Sequence, residues 1–345
     1  LLGRTPQVFW LLTLLCEMAM AWGFARLLTA LEIGAAGICV MLAALPFAVM
    51  PAYLTLTHPL EAALIVWALA FQAEGATGMW KSHGKNAGKG WALALMTVCI
   101  FVKPSMAYLE GAVLIALMLW EATWLEGRRQ QSRSVLRGLS RAVVVMIILF
   151  VGLSLWVGVG PVIRTLLPLT GAKTYAAAGF GFFASSGREF WVRSPWWLYF
   201  LAPPGIFLLG ALVAAAGCIA ALWRGLRRAN FPGISATPPI DHPSLSPRPR
   251  PILDHQTLLA RRRWQLLGTI GLLHTAFLLG FYGWTGSWRY YSYLPALALV
   301  IAAEMLPRRF WRPAAAGVLI AWLLLSHVEV IATAADRWHN KQRTA

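Results

Sequence analysis

The pair Lys103-Pro104 lies in the middle of a long apolar stretch and is the feature of this sequence best suited to chemistry. Within residues 91–120 the only other ionisable side chains are Cys99, Tyr108 and Glu110, and of these Glu110 alone is charged at neutral pH in water. A lysine in an apolar membrane segment is costly unless it reaches water, a headgroup or a partner. Two interpretations are open. Its ammonium binds an anion such as a lipid phosphate, or it snorkels from a helix end to the headgroups. Glu110, two helical turns further on, could also face the lysine and neutralise it.

A histidine and a glutamate three residues apart, His58 and Glu61, form a second candidate site. At the start of a helix this spacing places both side chains on one face. A carboxylate near a reaction centre, assisted by an imidazole, could accept a proton. Glu61 is therefore a candidate catalytic and substrate-binding residue, and His58 a candidate substrate contact. The alternative is helix initiation, with Pro59 at the first helical position and an early glutamate favoured by the helix dipole.

Arg289, Tyr290 and Tyr291 stand together at the outer end of a late apolar segment. The arginine could hold a phosphate, and the apolar faces of the tyrosine rings could line a carbohydrate site. Aromatic residues also form the interfacial belts of membrane proteins, and this second interpretation stays open.

Residues 161–197 carry four cations, among them Arg188, against the single carboxylate of Glu189. This excess is compatible with binding of polyanionic lipid-linked substrates, although a loop of this length can also cross a membrane regardless of its charge. Trp197 lies where the segment returns to the headgroup layer and is a candidate substrate contact.

The composition identifies the class of protein. Of 345 residues, 59% are hydrophobic and 12% are charged, which is about half the charged fraction of a soluble domain. Apolar runs recur from end to end and predict an all-α, polytopic transmembrane helical bundle of about 9–10 spans, with residues 1–345 as a single transmembrane domain. The predicted spans are 8–25, 33–56, 59–74, 91–102, 105–120, 142–160, 198–222, 265–283, 290–306 and 313–332.

The net charge of +17 does not indicate a nucleic-acid partner, because the Lys and Arg residues lie between the apolar runs. Basic loops of this kind are normal on the cytoplasmic side of membrane proteins. The four cysteines lie in apolar runs without metal or redox spacing. Walker A, GxSxG, HExxH and GxGxxG motifs are missing from the sequence. We therefore expect no metal and no cofactor.

Charge placement orients the predicted spans. Residues 91–120 would form a helix about 45 Å long, which is too long for one ordinary crossing. Two short crossings that meet at Lys103-Pro104 place more of the 30 Lys and Arg residues on the cytoplasmic side than one crossing does, and proline favours a break there. In this topology Lys103 faces outside and 161–197 is an extracytoplasmic loop. Residues 223–264 form a cytoplasmic, Pro- and Arg-rich, partly disordered loop.

The order of these features resembles the Lys-Pro region of GT-C membrane glycosyltransferases, particularly the polyprenyl-phosphate-mannose-dependent enzymes of glycosyltransferase family 87. A His-Pro turn leads into an apolar helix at 59–74, a short basic loop follows, and the stretch ALMTVCIFVKPSMAYLEGAVLIALML closes on an Arg-rich loop at 127–141. The Arg-Tyr-Tyr-x-Tyr-Leu-Pro stretch at 289–295 looks like the outer end of a C-terminal helix in the same superfamily. The resemblance is specific over residues 45–130.

The resemblance implies a multi-pass enzyme of the bacterial inner membrane. It would transfer a sugar, a mannose-like hexose, from a polyprenyl-phosphate donor to a lipid or glycan acceptor on the extracytoplasmic face. Lys103 would touch the donor phosphate, with Arg289 or Arg188 assisting, and membrane lipids would surround the protein. Such enzymes need a carboxylate base. The family's characteristic acid precedes the matching region, so we expect the family's first span and loop to be missing from this chain, which would then be inactive alone. Leu60-Glu61 also replaces the Gly-Gln of family 87.

Two other functions stay open. A transporter or flippase of lipid-linked saccharides would need a charged path through the bundle, for which Glu17 and Glu110 are the candidates. An O-antigen polymerase or ligase would rely on the arginines of the 161–197 loop and not on Lys103.

Overall fold

The computed structural model describes residues 6–34, 57–75, 87–102, 107–124, 128–166, 255–281 and 293–305, with the single residues 216, 219 and 317. Within these ranges the regular secondary structure is helical, which confirms the predicted all-α class. The helices are α1 Pro6–Ala30, α2 Thr57–Gly75, α3 Ala87–Val102, α4 Ala107–Trp124, α5 Arg128–Val157, α6 Val159–Leu166, α7 His255–Phe281 and α8 Tyr293–Glu304. Apart from Ile33, Gly34 and the three single residues, the predicted spans at 33–56, 198–222 and 313–332 lie outside the described part of the chain.

Helix α1 ends in a hydrogen-bonded cap that has a glutamate where glycine is usual. The N–H of Ile33 donates to the carbonyl of Leu28 at 3.0 Å, and the N–H of Glu32 donates to that of Thr29 at 3.1 Å. These two bonds define a Schellman motif, whose left-handed residue is Glu32 with φ 52°. Ile33 and Leu28 are both buried, which supplies the apolar contact that accompanies this cap.

Helix α2 is central to the described bundle. Its alanines and leucines favour a helix, Pro59 lies in its first turn and Gly75 ends it. It packs against α1, α3 and α7. Ile65, Val66 and Leu69 are buried on it, and the core continues through side chains of α1, α3, α7 and α8.

The apolar stretch at 91–120 belongs to two helices, as predicted. Helix α3 ends at Val102 and α4 begins at Ala107, and the two helices contact each other. Lys103-Pro104 comes between them in the sequence and lies outside the described residues.

Helix α5 corrects the prediction of an Arg-rich loop at 127–141, because α5 begins at Arg128. Arginine, glutamine and leucine are good helix formers, so a basic segment can continue a membrane helix into water. Gly158, with φ 89°, ends α5, and its N–H donates to the carbonyl of Ser154 at 2.9 Å. The predicted span 142–160 is therefore interrupted at Gly158, and α6 occupies the first residues of the predicted loop 161–197.

Helix α7 begins at His255, earlier than the predicted start at 265. The last residues of the predicted loop 223–264 are therefore helical. The Pro-rich middle of that loop, at 231–251, lies outside the described residues.

Two described helices are long and apolar enough to cross a membrane, at Leu11–Ala30 and Leu136–Val157, and Gly90–Val102 is a shorter apolar helix. Only 28% of the first candidate window and 11% of the second are buried. A core helix of a soluble protein would be mostly buried, so these two helices favour contact with lipid. The exposed side chains of α5 include Val144, Ile148 and Leu155.

Side-chain contacts define two ends of the described bundle. At one end Arg26 near the C-terminus of α1 pairs with Glu74 near the C-terminus of α2. Arg263, near the start of α7, reaches the C-terminal carbonyls of α1 and α8. This end is called the arginine end. The first turns of α4 and α8 lie at the opposite end.

Candidate functional site

Four buried polar side chains from four helices lie together at the end of the bundle opposite the arginine end. They are Glu61 of α2, Cys99 of α3, Glu110 of α4 and Tyr293 of α8, and we call them the carboxyl cluster. Their exposed fractions are 1% for Glu61 and 0% for the other three. The carboxylates of Glu61 and Glu110 interact electrostatically with both the Cys99 thiol and the Tyr293 hydroxyl. Residues distant in sequence therefore form one site.

The starts and ends of the helices explain this assembly. Glu110 lies in the first turn of α4, where the helix dipole favours a negative charge. Tyr293 is the first residue of α8. Cys99 lies near the C-terminal end of α3, and its Sγ is 4.0 Å from the backbone oxygen of Glu61. When neighbouring helices run antiparallel, the start of one helix lies beside the end of the next. Polar side chains at these helix ends therefore come close together.

Apolar packing fixes Tyr293 in the cluster. Its ring meets that of Phe24 on α1 edge to face, with centroids 6.1 Å apart. Its hydroxyl oxygen is buried and makes no hydrogen bond to the described residues. The ring of Tyr293 therefore packs against the helices, while its hydroxyl group lies in the buried interior.

Among the predicted site residues, Glu61 is buried in the carboxyl cluster. His58 belongs to α2, but its side chain lies outside the described residues. The remaining predicted site residues also lie outside the described part of the chain: Lys103, Arg188, Trp197, Arg289, Tyr290 and Tyr291.

Sequence reasoning identified Glu110 only as a possible partner of Lys103 or as part of a charged path, and did not place it beside Glu61. Cys99 was predicted to be a small core residue, and its burial confirms this. Tyr293 stands in the 289–295 stretch, but no role was predicted for it. Glu17, predicted to be a buried acid, is only half-buried on α1.

The arginine end is held by charged side chains that bind helix termini. The Arg263 guanidinium donates from Nη2 to the carbonyls of Leu31 at 2.9 Å and Glu32 at 3.2 Å, and from Nη1 to that of Glu304 at 3.2 Å. These carbonyls end α1 and α8, where the helix dipole is negative. Burial lowers the pKa of the neighbouring Arg262, and Glu32 opposes this shift.

A second interaction at the arginine end joins α1 to α2. Arg26 donates from Nε and Nη2 to the two carboxylate oxygens of Glu74, each at 2.7 Å. Its guanidinium also lies over the rings of Trp67 at 5.1 Å and Phe71 at 5.7 Å. The indole N–H of Trp67 donates to the Ala19 carbonyl at 2.7 Å. Bidentate pairing and ring contact together give this arginine one geometry, so we assign it a structural role.

The carboxyl cluster can hold or transfer protons. Carboxyl groups removed from water accept a proton or a compensating cation, and a phenol can donate a hydrogen bond to either. In the described ranges no group of three or more His, Cys, Asp or Glu side chains could hold a metal ion. The carboxyl, thiol and phenol groups of the cluster are of the types that bind protons and take part in general acid–base chemistry.

No protein-family model matches the chain, and no curated protein or solved structure shows a significant similarity to it.

Proposed function

We propose that the protein is an integral-membrane glycosyltransferase of the GT-C type. It transfers a sugar, a mannose-like hexose, from a polyprenyl-phosphate donor to a lipid or glycan acceptor on the extracytoplasmic face of the bacterial inner membrane. The observation that carries this proposal is the meeting of two short apolar helices, α3 and α4, on either side of Lys103-Pro104. Glu110, in the first turn of α4, belongs to the same buried cluster as Glu61.

The proposed reaction assigns the cations to the donor. Lys103, with Arg289 or Arg188, binds the phosphate and stabilises the charge that develops on it as the sugar leaves. The bond between the sugar C1 and the phosphate oxygen breaks, and a bond forms between C1 and the acceptor oxygen. The polyprenyl phosphate departs with the electron pair.

The proton of the acceptor hydroxyl must go to a base in the same step. Within the chain, the candidate base is the carboxylate of Glu61, near the start of α2. His58, Tyr290, Tyr291 and Trp197 are proposed to contact the sugar and the acceptor. The proposed bundle has about 9–10 spans, which gives room for a lipid-linked donor between helices.

Sugar transfer by the full-length protein tests the proposal. Membranes or purified protein receive a radiolabelled polyprenyl-phosphate hexose, and label in lipid or glycan products is measured with and without Lys103→Ala. We expect the substitution to reduce transfer by about 100-fold or more, as for the loss of a group that stabilises transition-state charge. Arg137→Ala, at an exposed position of α5, is the control and should leave transfer unchanged. Transfer at the wild-type rate by Lys103→Ala would remove the phosphate role.

A transporter or flippase of lipid-linked saccharides is a second candidate, and the carboxyl cluster is the observation that favours it. Acidic side chains inside membrane proteins often carry protons in transporters. Reconstituted vesicles distinguish the two functions. A flippase moves a labelled polyprenyl-linked saccharide across the bilayer without cleaving it and responds to a pH gradient. A glycosyltransferase cleaves the donor and needs an acceptor.

A further inference from the structure

Arginines stand at four-residue intervals along the first half of α5, and we call them the arginine stripe: Arg129, Arg133, Arg137 and Arg141. The helix is continuous from Arg128 to Val157. Each arginine therefore follows the one before it by a little more than one turn, and the four positions share one broad face. Arg137 and Arg141 are exposed. The sequence of α5 contains no Asp or Glu, so no carboxylate of the same helix offsets the charge of the stripe.

The arginine stripe continues into an apolar surface of the same helix. Val144, Ile148 and Leu155 follow Arg137 by 7, 11 and 18 positions, and these intervals are close to whole numbers of turns at ~3.6 residues per turn. The three side chains are 53%, 63% and 85% exposed. One face of α5 is therefore cationic over its first half and apolar over its second half.

Another face of α5 makes the contacts with the neighbouring helix. Gly138 and Ala142 are buried, and α5 packs against α3. A Cβ atom on Gly138 would lie 2.6 Å from the side chain of Leu93 on α3. Arg141 borders this packing face, and its guanidinium lies 5.9 Å from the centre of the Trp91 ring. Within the described bundle, one side of α5 is thus used for packing, and the cationic and apolar surface lies on the outside.

A lipid bilayer matches both parts of this outer surface. The candidate span Leu136–Val157 has 22 residues, which make a helix about 33 Å long, close to the ~30 Å hydrocarbon core of a bilayer. Arg137 is the second residue of this span, so it lies where the hydrocarbon meets the headgroups. A guanidinium is always charged, and its planar fork matches two oxygens of a phosphodiester.

Distance from the bilayer should grade the effect of the arginines. Along the helix axis, Arg133 lies about 6 Å beyond Arg137, and Arg129 about 12 Å beyond it. The headgroup layer is about 5–8 Å thick on each side, and charges in water act over about 8 Å at physiological salt. Arg137 and Arg141 therefore lie within reach of phosphates. Arg133 acts from the edge of the layer, and the charge of Arg129 is largely screened.

We propose that the arginine stripe of α5 binds the headgroups of acidic phospholipids, whose acyl chains lie along the apolar surface that follows it. The recognised class is a phosphodiester lipid with a net negative charge, such as phosphatidylglycerol. A zwitterionic lipid also presents a cation, which arginines repel. The proposal requires that α5 lie in a membrane, and it does not require glycosyl transfer. Arg137 has no part in the site proposed for sugar transfer.

Photolabelling of the reconstituted full-length protein tests the proposal. Vesicles contain phosphatidylglycerol or phosphatidylcholine with the same diazirine in the acyl chain next to the glycerol. Mass spectrometry of peptides gives the ratio of label from the two lipids at residues 136–148. The internal reference is α1, where Leu14 and Met18 are exposed and residues 6–25 contain no Lys or Arg. We expect the ratio at α5 to exceed that at α1 by at least about 5-fold.

Neutral variants test the individual positions. Arg137→Gln should lower the ratio at α5 by about 5-fold, which corresponds to the ~1 kcal/mol of one basic residue at an anionic surface. Arg129→Gln should lower the ratio by less than about 2-fold, because its charge is largely screened. Arg164→Gln removes the same charge from α6 and is the matched control, which should leave the ratio at α5 unchanged. An unchanged ratio in Arg137→Gln, or an equally large loss in Arg129→Gln, would overturn the assignment.

The wild-type protein alone also decides the question, whether or not the variants fold. Equal ratios at α5 and α1 would overturn the proposal, because lipid would then cover α5 without regard to its charge. A preference at α5 that disappears when a short RNA is added at constant ionic strength would assign the stripe to a soluble polyanion, and this result would also overturn it. A preference that persists beside the RNA and falls as the salt concentration rises supports the proposal.

Discussion

Replacing Arg263 should loosen the arginine end of the bundle more than any other single change of charge there. The guanidinium holds three backbone carbonyls from two helices, at 2.9 Å for Leu31 and 3.2 Å for Glu32 and Glu304. Hydrogen bonds that involve a charged group contribute about 1.5–3 kcal/mol each. Bonds made by one side chain are not additive, and carbonyls released at a helix end can be hydrated again.

We therefore expect Arg263→Met to lower the free energy of unfolding by about 3 kcal/mol. Arg263→Lys should cost about half as much, because a point-charge ammonium cannot span both helix ends as the planar fork does. The measurement is equilibrium unfolding in mixed micelles of a mild and a denaturing detergent, followed by far-UV circular dichroism. The sequence of the α7 helix is otherwise unchanged, so the comparison isolates the guanidinium.

Arg137→Met on α5 is the matched control. Arg137 is exposed, and the same substitution there should change stability by less than about 0.5 kcal/mol. Equal stabilities for the wild type and Arg263→Met would refute the role of this arginine in joining α1, α7 and α8. A cost for Arg263→Lys as large as that for Arg263→Met would show that the fork geometry contributes everything and the charge nothing.

Further substitutions test other contacts by the same unfolding measurement. Gly23→Ala should cost about 1–3 kcal/mol, because its Cβ would lie 2.9 Å from a β-branched side chain of α2. Gly152→Ala meets nothing within 4 Å and should be neutral or slightly stabilising; equal costs would contradict the packing argument. Gln72→Leu should stabilise by about 1 kcal/mol, since the buried amide makes no hydrogen bond to the described residues; a loss would reveal a polar partner. A double-mutant cycle on Arg26 and Glu74 should give a coupling of about 1–2 kcal/mol; additive single effects would count against the pair.

The helices could be predicted from sequence because long apolar runs mark them, and the division of residues 91–120 between α3 and α4 because a proline cannot continue the hydrogen-bond ladder. Their ends were harder to predict. Hydrophobicity locates where a helix leaves an apolar environment, whereas the helix itself continues as long as its residues favour it. This is why α5 begins at Arg128 and α7 at His255, inside segments predicted to be loops. The cap of α1 has Glu32 at the position where glycine is usual, so the local sequence does not predict this cap.

The site was predictable only in its parts. Glu61 and Glu110 could each be singled out as an acid near an apolar run, but their proximity depends on how α2, α3 and α4 pack. Sequence spacing within one helix cannot give a contact between helices. The pairing of Arg26 with Glu74 is of the same kind, since 48 positions separate them. Periodicity shows which face a residue occupies, and packing alone decides which faces meet.

The two ends of the bundle give an argument for orientation that does not require counting spans. One end contains Arg26 and Arg263, and Arg141 lies there too, 5.9 Å from the ring of Trp91 at the start of α3. Cations beside membrane helices favour the cytoplasmic side. In a membrane the arginine end would therefore face the cytoplasm, and the carboxyl cluster would lie toward the outer surface. Val102, the last residue of α3, lies at the same end of the bundle as Cys99. The same preference of cations for the cytoplasmic side orients the predicted spans, so the outward position of the start of the Lys103-Pro104 segment stays a prediction.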